Sequence, residues 1–262
     1  METLYVIKIG GNVIDDEHRL TGFLQTVSQL RGKKILVHGG GKIASAIGEK
    51  LGIKPNYVNG RRITDAETIN LVTMVYGGLV NKKIVAGLQA MGTDAIGLTG
   101  ADGNLIPAVK RPVKDIDYGF VGDVQPAEMD PALLVLLLEK GVMPVFAPLT
   151  HDGMGQVLNT NADTIASALA VCLSRRYAVR LIYCFEKKGV LADISNEQSL
   201  VPLIDRVLYE QLKAEHKLAD GILPKIDNAF EAIKNGVQEV VIGDARDLLC
   251  NASGPVSGTL IK

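Results

Sequence analysis

The sequence has no tryptophan, and aromatic residues make up only 5% of its 262 positions. An aromatic platform for stacking nucleic-acid bases is therefore disfavoured. Neither sign of charge is in excess, since 28 Lys and Arg face 29 Asp and Glu for a net charge of -1. That balance excludes a strongly basic nucleic-acid binder and gives no field to steer the chain onto anionic membranes. Cysteine is sparse as well. Cys172, Cys184 and Cys250 are odd in number and show no C-x-x-C spacing, which excludes a zinc ribbon and argues against a disulfide scaffold. The four histidines (His18, His38, His151 and His216) show no ligand spacing, so no dedicated protein metal site is expected. Apolar runs look too short to span a bilayer, and the opening METLYVIKIGG lacks the basic region and cleavage site of a signal peptide. These absences predict a cytoplasmic protein with no nucleic-acid or membrane partner.

What is present is a chain able to bury a core, with 47% hydrophobic and 22% charged residues. Strand-like and helix-like segments alternate. Leu4 to Ile9 is a short apolar run ending in Gly10-Gly11, as a buried parallel strand reads. Arg19 to Leu30 has helical spacing, and Lys34 to His38 reads as the next strand. Gly39-Gly40-Gly41 then opens a helix expected to bury Ile43, Ala46, Ile47 and Leu51. Asn59-Gly60 signals a hairpin of type I′, a helix is expected over Ala66 to Met91, and short hairpin strands over Leu105 to Val109 and Phe120 to Val124. After Arg176 come a strand at Val179 to Cys184, helices around Leu208 and Ala229, and strands at Glu239 to Ile242 and Gly258 to Ile261. The alternation predicts an α/β fold with a mainly parallel sheet, whose ligands sit at the carboxyl ends of the strands.

Two glycine loops fall at such ends. Without a Cβ, the backbone N–H groups of Gly10, Gly11, Gly40 and Gly41 can approach a phosphate closely. Neither loop is a Walker A motif, and neither fits G-x-G-x-x-G; tight turns that need glycine for packing are the competing explanation. Lys8 is a charge inside an apolar strand, where it needs an anionic partner or must reach solvent. Lys225 follows Pro224 into the first turn of a helix, where the dipole disfavours a cation. Asn159, Asn161 and Asp163 form a polar set from strand end to helix start. Capping accounts for Asn161 and Asp163 but not for Asn159. Arg62 beside the hairpin suits capture of a carboxylate, or is a solvated edge residue.

Taken in order, these segments resemble a family. Lys8-Ile9-Gly10-Gly11, His38-Gly39-Gly40-Gly41-Lys42, Asn59-Gly60-Arg61-Arg62-Ile63-Thr64, Gly119 to Val124, Leu158 to Asp163, Pro224-Lys225 and Gly258-Thr259 are similar to the pattern of the amino-acid kinase superfamily and, within it, the acetylglutamate kinases. The resemblance implies a three-layer αβα sandwich of the amino-acid kinase / carbamate kinase-like fold. It implies residues 1–174 as the lobe for acylglutamate binding and dimerisation, and 175–262 as the nucleotide lobe. The implied reaction is transfer of a phosphoryl group from ATP, with Mg2+ carried by the nucleotide, to the side-chain carboxylate of N-acetyl-L-glutamate, or of a related substrate such as N-succinyl-glutamate, in arginine biosynthesis.

In that pattern Lys8 and Lys225 stabilise the moving phosphoryl group and Asp163 holds both lysines. Gly10, Gly11, Gly40 and Gly41 line the phosphoryl and acceptor oxygens, and Arg62 and Asn159 bind the substrate's α-carboxylate and amide. A homodimer is implied, of the arginine-insensitive type by the absence of an extra amino-terminal helix. The segment Cys184 to Leu191 departs from the family's Thr-Asp-Val-x-Gly-Val-Leu type, lacking the Asp and running one residue longer. A silent nucleotide or amino-acid sensor on the same fold is the alternative.

Overall fold

The computed structural model describes all residues except Asn59, Ile194, His216 and 219–221. Asn59 and His216, both singled out in the sequence, thus lie outside the described residues. The strands in chain order are β1 (Thr3–Ile9), β2 (Lys33–His38), β3 (Tyr57–Val58), β4 (Arg61–Arg62), β5 (Ala95–Leu98), β6 (Ala108–Lys110), β7 (Gly122–Val124), β8 (Met143–Phe146), β9 (Leu149–His151), β10 (Val157–Asn159), β11 (Ala178–Phe185), β12 (Leu203–Ile204), β13 (Glu239–Asp244) and β14 (Thr259–Ile261). The chain forms two compact units, one of residues 1–35 with 166–262 and one of residues 36–165.

The first unit carries strands in the order β12-β14-β13-β11-β1. β1 pairs in parallel with β11 along its whole length, from Thr3 opposite Ala178 to Ile9 opposite Cys184. β11 and β13 are also parallel, and only β13 with β14 runs antiparallel. β1 is buried from Leu4 onward and β13 throughout, which is why both read as continuous apolar runs rather than alternating ones. Helix Leu223–Lys234 packs against β13 and β14 through Ile226, Ala229 and Ala232. The helix Arg206–Ala214 begins at Asp205, whose carboxylate accepts from the Leu208 N–H.

In the second unit β8 lies between β2 and β5, parallel to both. The expected α/β class with mainly parallel strands is therefore the observed one. One continuous helical stretch, Ala66–Ala90, is long and apolar enough by composition to cross a membrane, which the shorter runs in the sequence did not suggest. It holds Asn81, 1% exposed, whose amide donates to His38 Nε2 and to the carbonyl of Val145. Its middle, Thr73–Val80, widens into π-helical turns.

The helix after the second glycine loop, Gly41–Lys50, forms where expected but with a different inner face. Ala44 and Gly48 are buried, whereas Leu51 is exposed. A Cβ on Gly48 would stand 2.7 Å from Leu71 Cδ2 and 2.9 Å from the Ile53 carbonyl oxygen. Close approach selects the two small residues as the contact line, at the i, i+4 spacing of one helix face, and hydrophobicity alone points to the wrong face.

Candidate active site

In the first unit the sequence-predicted residues gather at the carboxyl end of β1. Lys8 is the penultimate residue of that strand and only 8% exposed. Gly10 follows, and Gly11 opens a single helical turn, Gly11–Ile14. A Cβ on Gly10 would meet nothing within 4 Å, and one on Gly11 only an ordinary contact with Asp15. The protein's own packing therefore does not require glycine at Gly10. Its lack of a side chain leaves open space beside a backbone amide, the kind of cradle an anion occupies.

Lys225 lies in the first turn of Leu223–Lys234, with Pro224 at the start of that helix as expected. Its Nζ is 4.6 Å from the centroid of the Phe185 ring, and Lys8 Nζ is 5.4 Å from the same ring. Phe185 ends β11 and stacks on Tyr183, with ring centroids 6.4 Å apart at 27°. Between them Cys184 is buried, and desolvation pushes its thiol up to about 12 against the opposing pull of the Lys8 charge. It is thus a neutral packing group rather than a nucleophile.

The Gly258-Thr259 motif supports the segment after Phe185. Thr259 Oγ1 accepts from the Val190 N–H at 2.8 Å and donates to the Val201 carbonyl at 2.7 Å. A Cβ on Gly258 would stand 2.4 Å from the Ile242 carbonyl oxygen, so this glycine serves packing.

The second unit assembles the remaining residues. Arg62, 7% exposed, is no solvated edge residue. Its Nη2 donates to the Gly41 carbonyl at 2.9 Å, to Ser45 Oγ at 2.8 Å and to the Tyr57 hydroxyl. The guanidinium carbon also lies 4.7 Å from the Tyr57 ring centroid. Tyr57 and Arg62 are register partners in the β3–β4 hairpin, where Gly60 adopts a φ of 73° that its two-residue loop requires.

Gly119 to Gly122 tie the hairpin to β10. The Phe120 N–H donates to the Thr64 carbonyl, and the Asn159 N–H to the Phe120 carbonyl. Asn159 Nδ2 closes the set on Thr64 Oγ1 at 3.0 Å. A Cβ on Gly119 would overlap the Thr64 carbonyl oxygen at 2.1 Å, which accounts for glycine there. Asn161 caps the helix Ala162–Leu173, accepting from the N–H groups of Asp163 and Thr164 at 2.8 and 3.1 Å. Asp163 is 8% exposed in the first turn, where the helix dipole favours its charge.

The glycine loop of this unit rests on a buried network. His38 Nδ1 lies 2.7 Å from the Gly39 carbonyl and Nε2 lies 3.1 Å from Asn81 Nδ2. A carbonyl can only accept, so Nδ1 carries the proton and Nε2 accepts. Desolvation lowers His38 to about 4, so the ring is neutral near pH 7. Gly97 admits this network, because a Cβ there would stand 1.8 Å from Asn81 Oδ1. At Gly40 a Cβ would meet Tyr76 Cδ1 at 2.9 Å, whereas at Gly41 it would meet nothing within 4 Å.

Tyr57, Ser45, Asn81 and Phe185 escaped the sequence reading. Tyr57 had a signal, since a two-residue loop at 59–60 makes it the partner of Arg62. The others depend on contacts between distant segments. Among the described residues no group of three or more His, Cys, Asp or Glu side chains stands together as a metal site.

Residues 3–244 match the amino acid kinase family. The chain is 55% identical to the acetylglutamate kinase of Bacteroides thetaiotaomicron over 261 residues, covering 100% of this chain and 99% of that one. With the acetylglutamate kinase of Bacteroides fragilis it shares 54% over 261 residues, covering 100% and 97%. Among solved structures, N-acetylglutamate synthase from Neisseria gonorrhoeae, complexed with coenzyme A and N-acetyl-glutamate, superposes with a TM-score of 0.83 at 24% identity. The match covers 99% of this chain and 59% of the synthase.

Proposed function

Because the chain belongs to the amino acid kinase family, we propose that it transfers the γ-phosphoryl group of ATP to the side-chain carboxylate of N-acetyl-L-glutamate, a step of arginine biosynthesis. The observation that carries this reading is the pair Lys8 and Lys225, two ammonium groups from different elements brought to one ring beside a glycine-lined turn. Phosphoryl transfer asks a protein for positioning and charge neutralisation more than for covalent help. The acceptor carboxylate is ionised near pH 7 and needs no general base. One of its oxygens attacks the γ-phosphorus while the bond to the bridging oxygen of ADP breaks.

On this reading Lys8 and Lys225 stabilise the negative charge on the moving group, and Asp163 orients the lysines. The backbone of Gly10 and Gly11, with Gly40 and Gly41, lines the phosphoryl and acceptor oxygens. Arg62 holds the substrate's α-carboxylate and Asn159 its amide. Magnesium enters with the nucleotide and, when bound, supplies further neutralisation of the phosphate oxygens. Residues 1–174 serve acylglutamate binding and residues 175–262 nucleotide binding. We further infer a cytoplasmic homodimer.

The test is an ATP-dependent hydroxamate assay comparing N-acetylglutamate, N-succinylglutamate, free glutamate and aspartate. Product from N-acetylglutamate is expected. Product from the free amino acids alone, or from none of the four, overturns the reading.

A further inference from the structure

The segment in which the sequence departs from the family pattern begins at the end of β11, and its first side chain in contact with the site is Phe185. In the β1–β11 register Lys8 is opposite Tyr183 and Ile9 opposite Cys184. Phe185 therefore lies one step beyond the last pair, level with Gly10, where β1 gives way to the glycine turn. Residues i and i+2 of a strand share a face, so Lys8, Tyr183 and Phe185 stand on one side of the sheet.

Lys8 and Lys225 approach this ring from unrelated elements, a strand end and a helix start, and both Nζ atoms lie within 5.4 Å of its centroid. Each lysine has four rotatable side-chain bonds, so each contact that narrows the range of its ammonium group adds to its placement. Lys225 also sits where the positive end of its helix repels it. An aromatic face attracts cations through its quadrupole and carries no net charge. Beside the carboxylate of Asp163, which the kinase reading assigns to orient the lysines, such a ring adds to their placement without cancelling further positive charge that a phosphoryl group in flight requires. The ring itself is fixed, half-buried at the strand end and stacked on the wholly buried Tyr183.

We propose that Phe185 is a positioning residue for phosphoryl transfer, its ring adding a neutral contact that helps to place the ammonium groups of Lys8 and Lys225. The inference rests on the kinase reading above and adds a residue to it. Phe185 touches neither substrate nor phosphate on this account, and acts through the two lysines.

The experiment replaces the ring and then its electronics. Phe185→Leu keeps an apolar side chain but removes the π face. Its kcat is expected to fall about tenfold, which is about 1.4 kcal/mol of barrier, with KM for ATP and N-acetylglutamate within about twofold of the parent. Phe185→Tyr keeps the face and is expected to retain kcat within about twofold. Mono-, tri- and pentafluorophenylalanine at position 185 keep the ring and withdraw its face charge step by step, so kcat is expected to decline in that order. This series remains informative even if the leucine variant folds poorly.

A flat fluorinated series overturns the proposal. So does a well-folded Phe185→Leu with parental kcat, or equal losses in the Leu and Tyr variants. A parent protein with no turnover of any acylglutamate overturns the kinase reading and this inference with it. An active parent with an unresponsive position 185 overturns this inference alone.

Discussion

Asn81 donates its side-chain amide to Nε2 of His38 at 3.1 Å, and both residues are almost completely withdrawn from water. The bond fixes which ring nitrogen of His38 bears the proton, and that nitrogen in turn holds the Gly39 carbonyl at the head of the glycine loop.

A pH dependence of stability follows from this pair. His38 titrates at about 4 in the folded protein, against 6.5 for an ordinary histidine. Between those values the unfolded chain binds a proton that the folded chain does not, so stability falls as pH drops from 6.5 towards 4. The loss is on the order of 3 kcal/mol once both limits are passed. Chemical denaturation of the parent and of His38→Gln at pH 7.5, 5.5 and 4.5 checks it. The parent should lose more stability than the variant across that range, and equal slopes would contradict the assignment.

Asn81→Ala leaves Nε2 of His38 and the Val145 carbonyl without their donor in a buried place, a cost of about 2–3 kcal/mol. Thermal unfolding should report a clear fall in Tm. Asn81→Asp should fare no better, because it turns a donor into an acceptor facing two acceptors.

Replacing either lysine separates binding from chemistry. Lys8→Ala and Lys225→Ala are each expected to lower kcat by about 10²- to 10³-fold, with much smaller changes in KM, as removal of a group that acts on developing charge does. Steady-state kinetics with saturating ATP decide it. A variant that keeps near-parental kcat removes that lysine from the reaction.

Arg62 should behave differently. One of its nitrogens is committed to Gly41, Ser45 and Tyr57, which fixes where the guanidinium sits. Arg62→Lys keeps the charge but loses the planar fork, and KM for N-acetylglutamate is expected to rise about tenfold or more with little change in KM for ATP. An equal rise for both substrates would argue for general disruption instead.

Neighbouring glycines offer an internal control. Gly40→Ala drives a Cβ into Tyr76 and should destabilise the protein by about 1–3 kcal/mol. Gly41→Ala meets no protein atom and lies at a helix start, so Tm should hold or rise slightly. On the proposed reading its activity should nevertheless drop, because the added methyl would enter space assigned there to the substrate. Full activity in Gly41→Ala would place the ligand elsewhere.

Much of this was legible in the sequence. The β1 run, the hairpin, the helix start at Pro224 and the capping role of Asn161 all follow from local rules, and the structure has each of them. Local rules failed where a contact is made between segments far apart in the chain. The helix after Gly41 turns Ala44 and Gly48 inward because Leu71 and Ile53 come close, and no hydrophobic count anticipates that. The wide turns of Thr73–Val80 carry no signature of their own, yet they hold the Tyr76 that dictates glycine at position 40. Phe185 reads as one more apolar strand residue until two lysines are found over it.

The seven-residue pairing of β1 with β11 joins the start of the chain to residues 178–184. During synthesis the strand that carries Lys8 leaves the ribosome before β11 and then waits, its principal partner still unmade, while residues 36–165 are completed as an uninterrupted compact unit. Closing so long a loop delays that pairing. The order of emergence therefore gives the middle of the chain a head start, and Lys8 gains its β11 neighbours only after that middle has been made. Pulse-labelled hydrogen exchange during refolding should show amides of β8 protected before those of β1, and protection of β1 coinciding with that of β11.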